Sequence, residues 1–186
     1  MLLLAGGKST RMGSPKHLLP MPDGRPLYQH QLDLLARACP DAPTIYISLA
    51  QDSPLDRFLQ SLTPSQDPPS PPTSPRPTTA PPAPASAPNP NPNKPSIALL
   101  RDARPNPAAR SAGPAAGLLA AFRARPAATW LVLAVDYPLL TPGMLRALCA
   151  AYAPPVTCLR NADGFCEPLV AVWGPAALGE LRRRVE

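Results

Sequence analysis

The chain has 186 residues and a formal net charge of +6, from 18 basic and 12 acidic side chains. That is one domain of ordinary size, and 31 prolines with only 10 glycines exclude a collagen repeat. Four cysteines without C-x-x-C spacing and two histidines argue against a zinc site or a disulfide scaffold, and no apolar run nears the roughly 18 residues of a membrane span.

Met1–Ala5 is apolar and reads as a strand, too short for a secretory leader. Reduced thiols and a cytoplasmic location are the expectation. Gly6–Gly13 is a loop with three glycines. Pro26–Cys39 is predicted helical, with Leu27, Gln31, Leu34 and Leu35 at 3–4 spacing and Pro40 as its stop. Thr44–Leu49 is a β-branched and aromatic strand, and Pro54–Leu62 a short helix. Ser96–Leu100 is a strand, and Gly113–Arg125 a helix that opens on Pro114. Trp130–Val135 is uninterrupted apolar, as a strand covered on both faces must be. Thr141–Tyr152 is a helix with Thr141 as N-cap. Pro155–Leu159 and Pro168–Trp173 are strands, and Ala176–Val185 is the last helix.

Residues 63–95 carry fourteen of the 31 prolines and no glycine. Proline removes the backbone donor and fixes φ, so neither helix nor ladder runs through such a stretch. It reads as a disordered, solvated insertion in a single domain whose core is residues 1–62 and 96–186. A proline-rich loop is also what an SH3-like partner binds. A tolerated surface insertion is the favoured reading, because long loops cost little in closure entropy.

Alternating strands and helices predict an α/β fold: three layers, with a mainly parallel, Rossmann-like sheet between helices. Ligands in such folds bind at the carboxyl ends of the strands. The basic surplus suits an anionic ligand. With aromatics at 5% and no run of four Lys/Arg, neither nucleic acid nor a membrane is an expected partner.

Three strand ends are unusual. After the first comes Leu4-Ala5-Gly6-Gly7-Lys8-Ser9-Thr10-Arg11-Met12-Gly13-Ser14-Pro15-Lys16. Adjacent glycines free backbone amides, Arg11 offers a bidentate phosphate contact, and Lys16 adds a compact point charge. The loop lacks the first glycine of a Walker A motif and the second of a dinucleotide fingerprint. Asp136 ends the Trp130–Val135 strand in Asp136-Tyr137-Pro138. A carboxylate there can hold Mg²⁺, which takes one or two carboxylates plus substrate phosphates, or can be a turn aspartate. Gly113-Pro114-Ala115-Ala116-Gly117 opens a helix whose first turn favours anions.

Leu4–Lys16, in the form LAGG-x-S-x-RMG-x-x-K, resembles the signature of the MobA-like nucleotidyltransferases, the family that includes molybdenum cofactor guanylyltransferase. Asp136-Tyr137-Pro138 is similar to its metal-binding D-x-P segment, Gly113–Gly117 to its GPLAG, and Asp102 to its nucleotide-binding aspartate. Glu167 resembles a residue lining the acceptor side, and reads as readily as a strand-end charge.

The resemblance implies transfer of a nucleoside monophosphate to a phosphorylated acceptor such as molybdopterin, with release of pyrophosphate. Arg11, Lys16 and Asp136 would be catalytic, Asp136 would hold Mg²⁺, and Leu4, Ala5, Gly6, Gly7, Lys16, Asp102, Gly113 and Asp136 would bind the nucleotide. Ala5-Gly6-Gly7 fits the guanine-using branch and Ser14-Pro15-Lys16 leans to the cytidine branch; GTP is preferred over CTP. The alternative is a catalytically impaired nucleotide-binding or regulatory protein with a proline-rich partner loop, favoured by the lack of the family's closing Asn-Thr-Pro-type segment before Glu186.

Overall fold

The first strand shows how one short apolar run is shared between two cores. Leu3 packs against one face of the sheet and Leu2 and Leu4 against the other, since side chains alternate along a strand. This arrangement comes from a computed structural model that describes residues 1–6, 15–49, 53, 55, 94–101 and 113–185. The described strands are β1 (Leu2–Leu4), β2 (Thr44–Leu49), β3 (Ser96–Arg101), β4 (Trp130–Ala134), β5 (Val156–Arg160) and β6 (Cys166–Trp173). The described helices are α1 (Leu27–Ala38), α2 (Pro114–Ala124), α3 (Pro142–Ala150) and α4 (Pro175–Val185), with a 3-10 turn at Lys16–Leu18. The expected helix Pro54–Leu62 lies almost wholly outside the described residues, as does nearly all of the proline-rich stretch.

The strands form one sheet in the order β3-β2-β1-β4-β6-β5. β3, β2, β1 and β4 run parallel. β6 is antiparallel to β4 and to β5. The chain turns back directly from β5 to β6 through residues 161–165, and a connection that short permits only an antiparallel pair. Leu34, Leu35 and Ala38 of α1 and Leu145 and Leu148 of α3 cover one face. Leu118, Ala121 and Phe122 of α2 and Leu178 of α4 cover the other. The three-layer α/β architecture expected from the sequence is the one observed.

Element ends moved by small amounts for local reasons. Pro26 is the N-cap of α1, in extended conformation, rather than its first helical residue. Thr141 caps α3 as expected, its hydroxyl accepting from the Met144 amide at 3.3 Å. β6 begins two residues earlier than Pro168. A register shift between Cys158 and Leu159 of β5 frees the ladder opposite, which is where a strand tolerates a proline. The four cysteines are free thiols. Among the described residues no helix is long and apolar enough to cross a membrane.

Gly117 is needed where α2 crosses the sheet. A Cβ there would stand 2.5 Å from Ser48 Oγ and 2.7 Å from Leu4 Cδ2, and both residues are buried. Gly117→Ala gains about 1 kcal/mol of helix propensity. Overpacking a filled core costs about 1–3 kcal/mol, and contacts this short belong at the upper end. The expected result is a net loss of about 1–2 kcal/mol, read in a thermal melt as a fall of roughly 2–8 °C in Tm. An unchanged Tm would show that α2 can move away from the sheet.

Candidate functional site

Chain order places the site before any side chain is considered. From β1 the chain runs outward to β2 and β3, then returns to place β4 on the opposite side of β1. The strand order therefore reverses between β1 and β4. At such a reversal the connections leave in opposite directions and open a crevice beyond the carboxyl ends. A hollow lies there. Leu4, Ala5 and Gly6 line it from β1, Ala134, Val135 and Asp136 from β4, and Pro114 from the start of α2. Lys16, His17 and Leu169 complete its lining.

Backbone bonds hold the two strand exits together. The Ala5 amide donates to the Ser48 carbonyl at 3.0 Å, and the Val135 amide to the Leu4 carbonyl at 3.1 Å. Gln31, fully buried on α1, donates its side-chain amide to the Val135 carbonyl at 3.2 Å. That bond ties down the backbone one residue before Asp136. Pro15 and Lys16 start a tight turn: Leu18 N–H donates to the Pro15 carbonyl at 2.9 Å and Leu19 N–H to the Lys16 carbonyl at 3.1 Å. The turn is braced on α1, because the Leu27 amide donates to the Leu19 carbonyl at 2.9 Å.

The result is a close pairing of residues 120 positions apart. Lys16 Nζ lies 3.2 Å from Asp136 Oδ2. Their side chains are 41% and 51% exposed, so water screens the pair and its own worth to the fold is small. What it supplies is placement: a cation and a carboxylate at the rim of one hollow, open to ligand. A cation there can neutralise a phosphate oxygen. A carboxylate there offers a hard oxygen donor. Among the described residues no cluster of three or more metal-ligating side chains occurs. A single carboxylate suits a metal ion that takes most of its ligands from substrate phosphates and water.

Of the residues singled out from the sequence, Leu4, Ala5, Gly6, Lys16 and Asp136 meet at this hollow. Gly113 stands beside it as the N-cap of α2, at φ 49°, a conformation that favours glycine. Gly7, Arg11 and Asp102 lie outside the described residues. Glu167 is not a bare strand-end charge. The Tyr137 hydroxyl donates to its Oε2 at 2.6 Å, and burial, then that bond, push the Tyr137 phenol up to about 12. The loop that follows Asp136 is thereby tied to the start of β6.

Sequence reasoning passed over His17, Gln31 and Tyr137. The Gln31 signal was present: a glutamine inside the apolar stripe Leu27, Gln31, Leu34, Leu35 has to bond something buried. His17 and Tyr137 carried no such pattern, since the strand ends that His17 meets at the hollow and the Glu167 partner of Tyr137 are distant in the chain.

Comparison with known proteins agrees with the geometry. The chain is 29% identical to the molybdenum cofactor biosynthesis bifunctional protein of Synechocystis sp. over 180 residues, which is 95% of this chain and 39% of that protein. It is 48% identical over 52 residues to a Rhodopirellula baltica protein named probable molybdenum cofactor guanylyltransferase, covering 28% of this chain and 24% of that one. The chain thus spans well under half the length of either curated relative. Among solved structures, Rv0371c from Mycobacterium tuberculosis H37Rv superposes with a TM-score of 0.60 at 22% identity, over 98% of this chain and 74% of that one. The same protein in complex with manganese gives 0.58 at 20% identity, over 98% and 73%. At these identities the likeness concerns the fold. The MobA-like NTP transferase domain matches residues 1–75 and 85–186, and with Leu4, Ala5, Gly6 and Lys16 lining one hollow together with Asp136, this chain belongs to that family.

Proposed function

We propose that the chain is a Mg²⁺-dependent nucleotidyltransferase that moves GMP from GTP to a phosphorylated acceptor such as molybdopterin and releases pyrophosphate. The observation that carries the reading is the 3.2 Å approach of Lys16 Nζ to Asp136 Oδ2 at the strand reversal. One cation and one hard oxygen donor stand where the bound metal and the phosphates of a triphosphate can share a hollow.

An oxygen of the acceptor phosphate attacks the α-phosphorus in line. The new P–O bond forms as the bond from the α-phosphorus to the α–β bridging oxygen breaks, and that electron pair leaves with pyrophosphate. The attacking oxygen is already anionic, so no general base is required. The work left to the protein is positioning and charge neutralisation. Lys16 holds the α-phosphate and stabilises charge that develops on it. Arg11 takes the β- and γ-phosphates. Asp136 holds the metal, and Mg²⁺, when bound, screens the phosphate charges. Leu4, Ala5, Gly6 and Gly7 offer backbone groups to base and sugar. Asp102 contacts the nucleotide, and Gly113 opens the first turn of α2 toward it.

A triphosphate panel with Mg²⁺ tests the reading. The largest thermal shift is expected with GTP, a smaller one with CTP, and pyrophosphate release on adding a pterin-phosphate acceptor. Equal shifts for every base would remove the guanine preference. Binding without pyrophosphate release would instead favour a nucleotide-binding regulatory protein.

A further inference from the structure

His17 is 2% exposed, yet it lines the hollow between the β1 and β4 ends. Its Nε2 is buried and has no hydrogen-bond partner among the described residues. Leaving a buried polar atom unpaired costs about 1–3 kcal/mol, so native proteins rarely leave one without a use. A histidine that merely filled the core would do better as leucine or phenylalanine. Besides the Asp136 carboxylate, three features around this hollow bear on an anion. Lys16 precedes His17 and contributes an ammonium, the start of α2 stands at Pro114, and the backbone at Ala5 and Gly6 opens onto the same space. Each of these favours an anion.

We propose that His17 is a phosphate-binding residue of this site, its Nε2–H donating to a phosphate oxygen of the bound triphosphate beside Lys16. The inference rests on the reading of the hollow as a nucleotide site and adds a residue to it. Burial holds the imidazole pKa below its ordinary value, which favours the neutral ring with its single N–H. A neutral donor complements Lys16. The ammonium supplies charge with little directional preference, and the planar ring supplies one directed bond from a fixed place. That place is fixed because the Lys16–Leu18 turn is closed on itself and braced against α1.

The test uses the full chain with Mg²⁺ and two probes, GTP and inorganic tripolyphosphate, with affinities from titration calorimetry and Tm from a thermal melt. His17→Phe keeps a buried ring and removes the nitrogen. It is expected to weaken both probes equally, by roughly 10- to 100-fold, the range for losing a hydrogen bond to a charged group. Its ligand-free Tm should stay level or rise, because an unpaired polar atom has gone. His17→Gln brings an amide nitrogen to the place of Nε2 and should bind both probes within about threefold of the parent chain. Unchanged binding in His17→Phe overturns the proposal. A loss confined to GTP overturns it too, because the contact would then be with the nucleoside. A loss shared in full by His17→Gln marks a packing role and overturns it as well. If the parent chain binds neither probe, the nucleotidyltransferase reading falls and His17 with it; if the parent chain binds and His17→Phe binds alike, only His17 falls.

Discussion

Lys16→Ala is expected to lower the rate of pyrophosphate release by about 10²–10³-fold, the loss seen when one preorganised donor to developing charge is removed. The fold should hardly notice. Lys16 is 41% exposed on its side chain and its partner Asp136 51% exposed, and an ion pair that open to water is worth about 0–1 kcal/mol. Tm is therefore expected to stay within about 4 °C of the parent. Backbone bonds through Pro15, Leu18, Leu19 and Leu27 shape the turn and do not involve the ammonium. Lys16→Arg keeps the charge but changes its shape from a compact ammonium to a planar fork, and should recover only part of the rate. Steady-state pyrophosphate release with GTP and acceptor, set beside a thermal melt, checks this. A rate within threefold of the parent for Lys16→Ala would take Lys16 out of the chemistry.

Asp136→Asn is expected to have an effect as large, on the order of 10³-fold in kcat/KM, with a different signature. The amide keeps the size of the side chain and one oxygen, and it loses the charge that retains a hard divalent cation. The loss should therefore be partly recovered by raising Mg²⁺, whereas Lys16→Ala should not respond to the metal. Nothing structural should follow: the strand exit is held by the Val135 amide and by Gln31, through backbone atoms that the substitution leaves alone. A Mg²⁺ titration of the rate, with Tm recorded in parallel, separates the two cases. An Asp136→Asn protein with parental rate and parental Mg²⁺ dependence would end the assignment of the metal to this carboxylate.

Much of this was legible along the chain because the relevant physics is local. The run Trp130–Val135 announces burial on both faces, and its observed members are all buried. Thr141 before Pro142 announces a capped helix start, and the cap bond is there. Glycines followed by Lys16 at fixed spacing describe a loop that is itself one piece of chain. Strand ends were legible to within a residue or two. The missed extension of β6 past Pro168 depended on a register shift in its partner strand, which no local pattern carries. The antiparallel edge formed by β5 and β6 was likewise only compatible with the alternation of elements, not required by it.

The sequence by itself determined the classes of its parts: strands, caps, a cation-bearing loop after β1 and a carboxylate after β4. Periodicity, capping and turn chemistry act over a handful of neighbours, so they can be read without knowing the fold. Only the tertiary structure decided that Lys16 and Asp136 come within 3.2 Å, that Gln31 reaches the Val135 carbonyl, that Tyr137 holds Glu167 and that His17 faces the same hollow. These pairings depend on strand order. β4 lies beside β1 because the apolar faces of the described helices have to be buried on both sides of one sheet, and that requirement belongs to the whole chain.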